Sequence, residues 1–256
     1  MDAPAVLMLA AAGIVGGAIS SLVGGAAVVT FPALIATGLS PVVATATNLL
    51  ALVPGNFPAA LYDRTQLPPL DRAFVGLVIV SLAGAAAGAV LLLLTPERMF
   101  AFLVPALLGF STVLFAYAGR ISNWIRARAL ARGREQPSWG GTVAALVPCS
   151  VYGGYFGAGV GVLLLGVLSI ASGGDYRAAN ATKNLVTSLN SLVAAAIFIV
   201  QGVVSWPATF AMMSGALIGA YIGARLAQIV PREIMRFVVV AVGALLTVLF
   251  AWRYWF

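Results

Sequence analysis

The sequence predicts an all-α polytopic membrane protein, with about eight hydrophobic segments arranged in two homologous repeats. Three observations lead there. Hydrophobic residues make up 62% of the chain and charged residues 8%, with a mean hydropathy of +1.05, whereas a soluble domain carries about 25% charged residues. The segment pattern of the first half recurs in the second at an offset of about 136 residues. Positive charge, finally, is almost all arginine at segment ends, so the net charge of +7 is a topology signal and not a sign of nucleic-acid binding.

Taken in order, residues 4–37 form a first apolar stretch of about 34 residues, too long for one span and short of two. Gly13, Gly16-Gly17 and Gly24-Gly25 interrupt it, and glycines there allow a sharp turn or a close backbone approach. Ser40-Pro41 starts the next helix, with Ser40 as the N-cap and proline at the first helical position. Pro54 and Pro58 weaken the far half of that segment. A polar loop from Tyr62 to Arg72 leads to two simpler spans, 73–94 and 98–118.

Residues 119–137 carry Arg120, Arg126, Arg128, Arg132, Arg134 and Glu135, and are expected to be a basic cytoplasmic loop. They divide the chain into a first transmembrane repeat, 1–118, and a second, 138–256. The second repeat again opens on an over-long stretch, 140–171, broken by Gly153-Gly154, Gly157, Gly159 and Gly161. A polar-striped helix at 176–201 and two simpler spans, 207–228 and 233–252, follow. At the repeat offset Gly17 meets Gly153, Gly25 meets Gly161, Asn48-Leu49 meets Asn184-Leu185 and Glu97 meets Glu233.

Two topologies compete for the glycine-broken stretches. If each crosses the membrane, the halves lie parallel. If each dips in and returns, the halves are inverted. In the re-entrant arrangement one side collects Arg64, Arg72, the central arginines, Arg177, Arg232 and Arg236, against Arg98 and Arg253 on the other. Crossing moves Arg177, Arg232 and Arg236 to the outer side and weakens the bias, so arginine placement favours inverted repeats.

The candidate site lies on the polar-striped helix. Arg177, Asn180, Lys183, Asn184, Thr187, Ser188 and Ser191 fall within about 80° of one direction at helical spacing. A polar stripe with a lysine inside a spanning helix is costly unless it faces protein or water. Asn48 lies about 10 Å along its helix from Pro41, and Asn184 about 13 Å from Asp175, both approaching the middle of a bilayer core about 30 Å thick. Thr45, Asn48 and Asn56 share a face. Backbone N–H groups at the breaks (Gly24, Gly25, Gly157 and Gly159) would attract an anion. The ligand deduced is small and anionic, with oxygens that accept from amides, hydroxyls and N–H groups. Helix–helix adhesion for the asparagines and snorkelling for Lys183 stand as the plainer alternatives.

Other function classes find less support. The chain has no histidine and one cysteine, Cys149, and its seven acids sit at segment ends or in loops. A membrane enzyme would need a nucleophile, an acid–base pair or a metal cluster. No catalytic residue, metal or cofactor is expected, and the partners expected are a small anionic substrate and membrane lipid. A purely structural subunit would have no need of a deep polar stripe.

Gly153-Gly-Tyr-Phe-Gly-Ala-Gly-Val-Gly161 followed by Ala178-Ala-Asn-Ala-Thr-Lys-Asn-Leu185 resembles the second-half signature of the sulfite exporter TauE/SafE family. Gly24-Gly-Ala-Ala-Val-Val-Thr-Phe-Pro32 and Ala44-Thr-Ala-Thr-Asn-Leu49 form the first-half counterpart, with Ala26-Ala27 where that family is richer in glycine. The resemblance implies a multi-pass protein of the bacterial inner membrane that exports a small sulfur-containing anion such as sulfite, sulfoacetate or a similar organosulfonate. An anion channel or an importer of sulfur oxyanions is the alternative.

Overall fold

Inside a bilayer no water is present to satisfy backbone N–H and C=O groups, so apolar runs close their hydrogen bonds within themselves as helices. The computed structural model of the protein describes residues 1–22, 25–131, 139–172, 175–226 and 232–255. Among these the chain forms ten α-helices: α1 Ala3–Leu22, α2 Ala27–Ala36, α3 Pro41–Tyr62, α4 Arg72–Leu94, α5 Glu97–Ala131, α6 Trp139–Tyr155, α7 Val160–Ala171, α8 Tyr176–Val200, α9 Trp206–Leu226 and α10 Arg232–Trp255. Each over-long stretch is a pair of helices, α1 with α2 and α6 with α7. Of the ten, α1, α4, α5, α8 and α10 are long and apolar enough to cross a membrane. Large apolar side chains such as Leu7, Phe102, Phe210 and Phe237 are exposed on the outside. Lipid is the solvent that accommodates such a surface, and the molecule is a multi-pass membrane protein.

Several helix starts follow from local chemistry. Asp71 caps α4 by accepting from Phe74 N at 2.7 Å. Asp175 caps α8 by accepting from Arg177 N at 2.9 Å and Ala178 N at 3.2 Å. Ser40 differs from expectation. Its carbonyl accepts from Ala44 N at 2.8 Å, but its buried hydroxyl has no partner, so proline geometry and not a side-chain cap starts α3. The same helix contains Pro54 and Pro58 and continues to Tyr62, in keeping with a span expected to run across to about residue 61.

The basic segment also departs from expectation. Helix α5 runs on to Ala131, so residues 119–131 are helical and not loop, while 132–138 lie outside the described residues. At 35 residues this helix is about 52 Å long, well beyond a hydrocarbon core of about 30 Å.

Packing pairs the halves. Helix α1 packs mainly on α9, and α6 on α4; α3 packs on α8, and α5 on α10. The first two pairs rely on glycine. A side chain at Gly219 would meet the Ile14 carbonyl of α1, and one at Gly88 would meet the Val151 carbonyl of α6. Backbones this close gain dispersion and leave no room for a Cβ. Along α5 and α10 the contact is antiparallel from end to end. Trp255 Nε1 donates to the Phe102 carbonyl at 2.9 Å, and at the other end the Arg236 guanidinium lies against Gly119. The core between these pairs is aromatic: Phe31 of α2 meets Phe156 edge-on at 5.4 Å between centroids, and both are buried with Phe100 and Phe198.

Gly88→Leu would force α4 and α6 apart. Overpacking costs about 1–3 kcal/mol where side chains can yield, and here backbone opposes backbone. Thermal melting in detergent should show a lower midpoint for this variant, and a larger loss than for Gly140→Leu, where a Cβ would meet open space.

Candidate functional site

The break between α6 and α7 is built from two glycines in the left-handed region, Gly157 and Gly159, both at φ +78°. Phe156 N and Gly157 N both donate to the Tyr152 carbonyl, at 2.9 and 3.1 Å, closing the end of α6. The Ala158 carbonyl lies in the break between the two helices. Tyr152 Oη donates to it at 2.6 Å, and Ser111 Oγ of α5 stands 3.1 Å from the same carbonyl and 2.9 Å from the phenol oxygen. Beyond the turn, a side chain at Gly157 would meet Leu49 of α3, and one at Gly159 would approach Ser111, Leu114 and Phe115. The break between α1 and α2 contains Gly25 at φ +96°, faced by the Phe115 ring. Gly24 lies outside the described residues.

One main-chain donor of the breaks is already in use. The Gly157 N–H donates to the Tyr152 carbonyl, since a broken helix inside a bilayer must satisfy its own ends.

The side-chain candidates fare differently from one another. Thr45 is 1% exposed, and its hydroxyl donates to the Pro41 carbonyl at 2.9 Å, so its proton is already in use. Asn48, one turn further along α3, is 2% exposed, yet its Oδ1 has no hydrogen-bond partner. Helix α8, which packs on α3, carries Asn180, Lys183, Asn184 and Thr187, all partly buried. Lys183 Nζ donates to Asn180 Oδ1 at 3.0 Å. The lysine stem lies along Gly161, whose added Cβ would stand 3.9 Å from Lys183 Cδ. Part of the stem is thus set beside α7. Thr187 Oγ1 is buried without a partner. The side chain of Asn56 lies outside the described residues. So the structure joins Asn180 to Lys183, sets that lysine beside α7, and packs the helix carrying them on the helix carrying Asn48.

Two polar clusters were not anticipated from sequence. The first is Ser111 with Tyr152. A hydroxyl inside the otherwise simple span 98–118, and a tyrosine just before Gly153-Gly154, were the available signals. The second joins three helices: Ser81 Oγ of α4 lies 2.8 Å from Ser150 Oγ of α6, and Asn190 Nδ2 of α8 donates to Ser81 Oγ at 2.9 Å. All three are buried and mutually satisfied, which is the behaviour of interhelical adhesion.

With this arrangement in view, comparison with known proteins defines the class. The chain matches the sulfite exporter TauE/SafE family over residues 9–250 and belongs to that family. Individual relatives are similar along nearly their whole length. One is the probable membrane transporter protein of Haemophilus influenzae, 26% identical over 235 residues, covering 92% of this chain and 90% of the relative. Another is the probable membrane transporter protein YfcA of Escherichia coli K12, 26% identical over 232 residues, 90% of this chain and 84% of the relative. A third is the probable membrane transporter protein ORF9 of a Sinorhizobium species, 28% identical over 240 residues, 93% of this chain and 88% of the relative. No solved structure matches.

Tyr152→Phe removes the shorter bond to the Ala158 carbonyl. A net loss of roughly 1 kcal/mol is expected, read as about fivefold faster amide hydrogen exchange across residues 156–160. Exchange unchanged there, with Ser111 intact, would mean the phenol does not hold the break.

Proposed function

We propose that this protein is a transporter that exports a small sulfur-containing anion, such as sulfite, sulfoacetate or a related organosulfonate, across the bacterial inner membrane. The observation that carries the reading is Asn48: an amide 2% exposed, inside the membrane domain, with its oxygen unpaired. A buried polar group without a partner costs about 1–3 kcal/mol, and a site that stands ready for a ligand accounts for the cost. An oxyanion is an acceptor, as the amide oxygen is, so it binds there with the amide turned to present its N–H donors in place of the oxygen. Lys183, on the helix packed against α3, supplies the positive charge an oxyanion requires. Asn180, Asn184 and Thr187 extend the same face, and Thr45 shapes the first-half wall.

The halves are read as inverted repeats with re-entrant broken segments. Arg236 against Gly119 sets the start of α10 and the basic end of α5 on one side. The bond from Trp255 to Phe102 sets the opposite ends, with Arg253 and Arg98, on the other. A crossing topology would separate both pairs. Arg225, in the last turn of α9, adds to the arginine-rich side, which the positive-inside rule makes cytoplasmic.

Direction follows from energetics. An anion leaving a negative-inside cell gains about 2.3 kcal/mol per charge per 100 mV. Export therefore needs no proton relay, and the sequence, without a histidine, offers few parts for one. The same lack of acid–base and nucleophilic groups supports a transporter over an enzyme.

Binding of sulfite, sulfate, thiosulfate and sulfonates to the purified protein tests the reading. Lys183→Ala should weaken binding of the preferred anion at least about tenfold, the worth of one charge-assisted hydrogen bond, with the protein still folded. Asn48→Ala and Asn184→Ala should each slow flux into liposomes. Undiminished affinity in Lys183→Ala would remove that residue from the site, and single-channel conductance in place of saturable flux would make the protein a channel.

A further inference from the structure

We propose that the Phe115 ring is the barrier that closes the transport path between the two helix breaks; this rests on the reading above of a transporter whose halves carry re-entrant broken segments. Phe115 lies on α5, which forms part of neither break, yet it touches both. A Cβ on Gly25 would lie 2.5 Å from Phe115 Cζ and 2.8 Å from Cε2. On the other side a Cβ on Gly159 would lie 3.7 Å from Phe115 Cε2. The ring is 2% exposed and packs with Ile19 of α1, Val28 of α2 and Val239 of α10, with Val162 of α7 beside them. Four helices besides its own thus converge on one side chain.

Chemistry makes this contact a seal. The packed neighbours of the ring are hydrocarbon, so an oxyanion would have to shed its water with nothing to replace it. At the seal Gly25 meets a ring of its own half and Gly159 approaches the same ring from the other half. Neither glycine can be exchanged for a larger residue to do the same work, since both have positive φ. The barrier is also single. At the repeat offset the second half carries Ala251 where the first has Phe115, so one ring serves both breaks. One turn earlier on α5, Ser111 stands at the Ala158 carbonyl, which fixes the height of the ring relative to the second break. Passage of a ligand between the breaks requires the ring to leave this position.

Thiol accessibility of the reconstituted full chain tests the barrier without depending on the substrate. In a Cys149→Ser background, N48C is exposed to a membrane-impermeant thiol reagent, with Phe115 intact or replaced. Phe115→Ala should raise the modification rate at position 48 by about tenfold or more, and Phe115→Leu by an intermediate factor, as an opening equilibrium is shifted. Phe115→Trp should leave it at or below the starting rate. Phe115→Leu keeps the segment apolar and decides the matter if the alanine variant does not fold. Melting temperatures that fall while labelling stays constant in both smaller variants would overturn the proposal and leave Phe115 a packing residue. Sulfite flux, measured in parallel on liposomes with an intact chain, separates the two ideas. No flux of any sulfur anion would remove the transport reading, whereas the labelling rates would still establish or refute the barrier.

Discussion

A carbonyl left bare inside a bilayer is among the costliest defects a protein can carry, and interrupting a helix between α6 and α7 creates one at Ala158. The repair sets much of the architecture. Tyr152 reaches it from α6 and Ser111 from α5, so closing the break of the second half draws on a helix of the first. Leu49 of α3 fills the space beside Gly157, and Phe156 leaves the break to join Phe31 and Phe100 in the core. The interruption is thereby a fixed element of the interior.

Polar groups elsewhere in the membrane domain divide by whether their bonds are complete. Asn190 and Asn48 have the same side chain and similar burial, 5% and 2% exposed. Asn190 exchanges hydrogen bonds with Ser81 and holds α4, α6 and α8 together. Asn48 leaves its oxygen unpaired, and nothing in the packing of α3 benefits from that. The contrast sets an amide that joins helices apart from one whose oxygen has no partner. Lys183 runs its stem past Gly161 of α7 and donates to Asn180.

Much of this was legible in the residues. Composition announced the membrane, the glycines in the two over-long stretches marked where α1 and α2, and α6 and α7, part, and Asp175 lies at the start of α8. The polar face of α8 was legible because periodicity alone groups Asn180, Lys183, Asn184 and Thr187. What could not be read is how ends are satisfied. A serine before proline has the chemistry of a cap, but the hydroxyl of Ser40 does not close onto α3. Glycine runs suggest open main chain, yet whether that chain meets a ligand, its own helix or a phenyl ring depends on residues more than forty positions away, such as Leu49 and Phe115. Charge density suggested a loop after residue 118, while helix propensity in an alanine- and arginine-rich segment carried α5 on to Ala131.

The account turns on two halves presenting one site for an oxyanion between α3 and α8. A structure determined with the tightest-binding sulfur oxyanion would test that most directly. The account predicts density for the anion within about 3 Å of Asn48 Nδ2 and Lys183 Nζ. An anion seated away from both groups would contradict it.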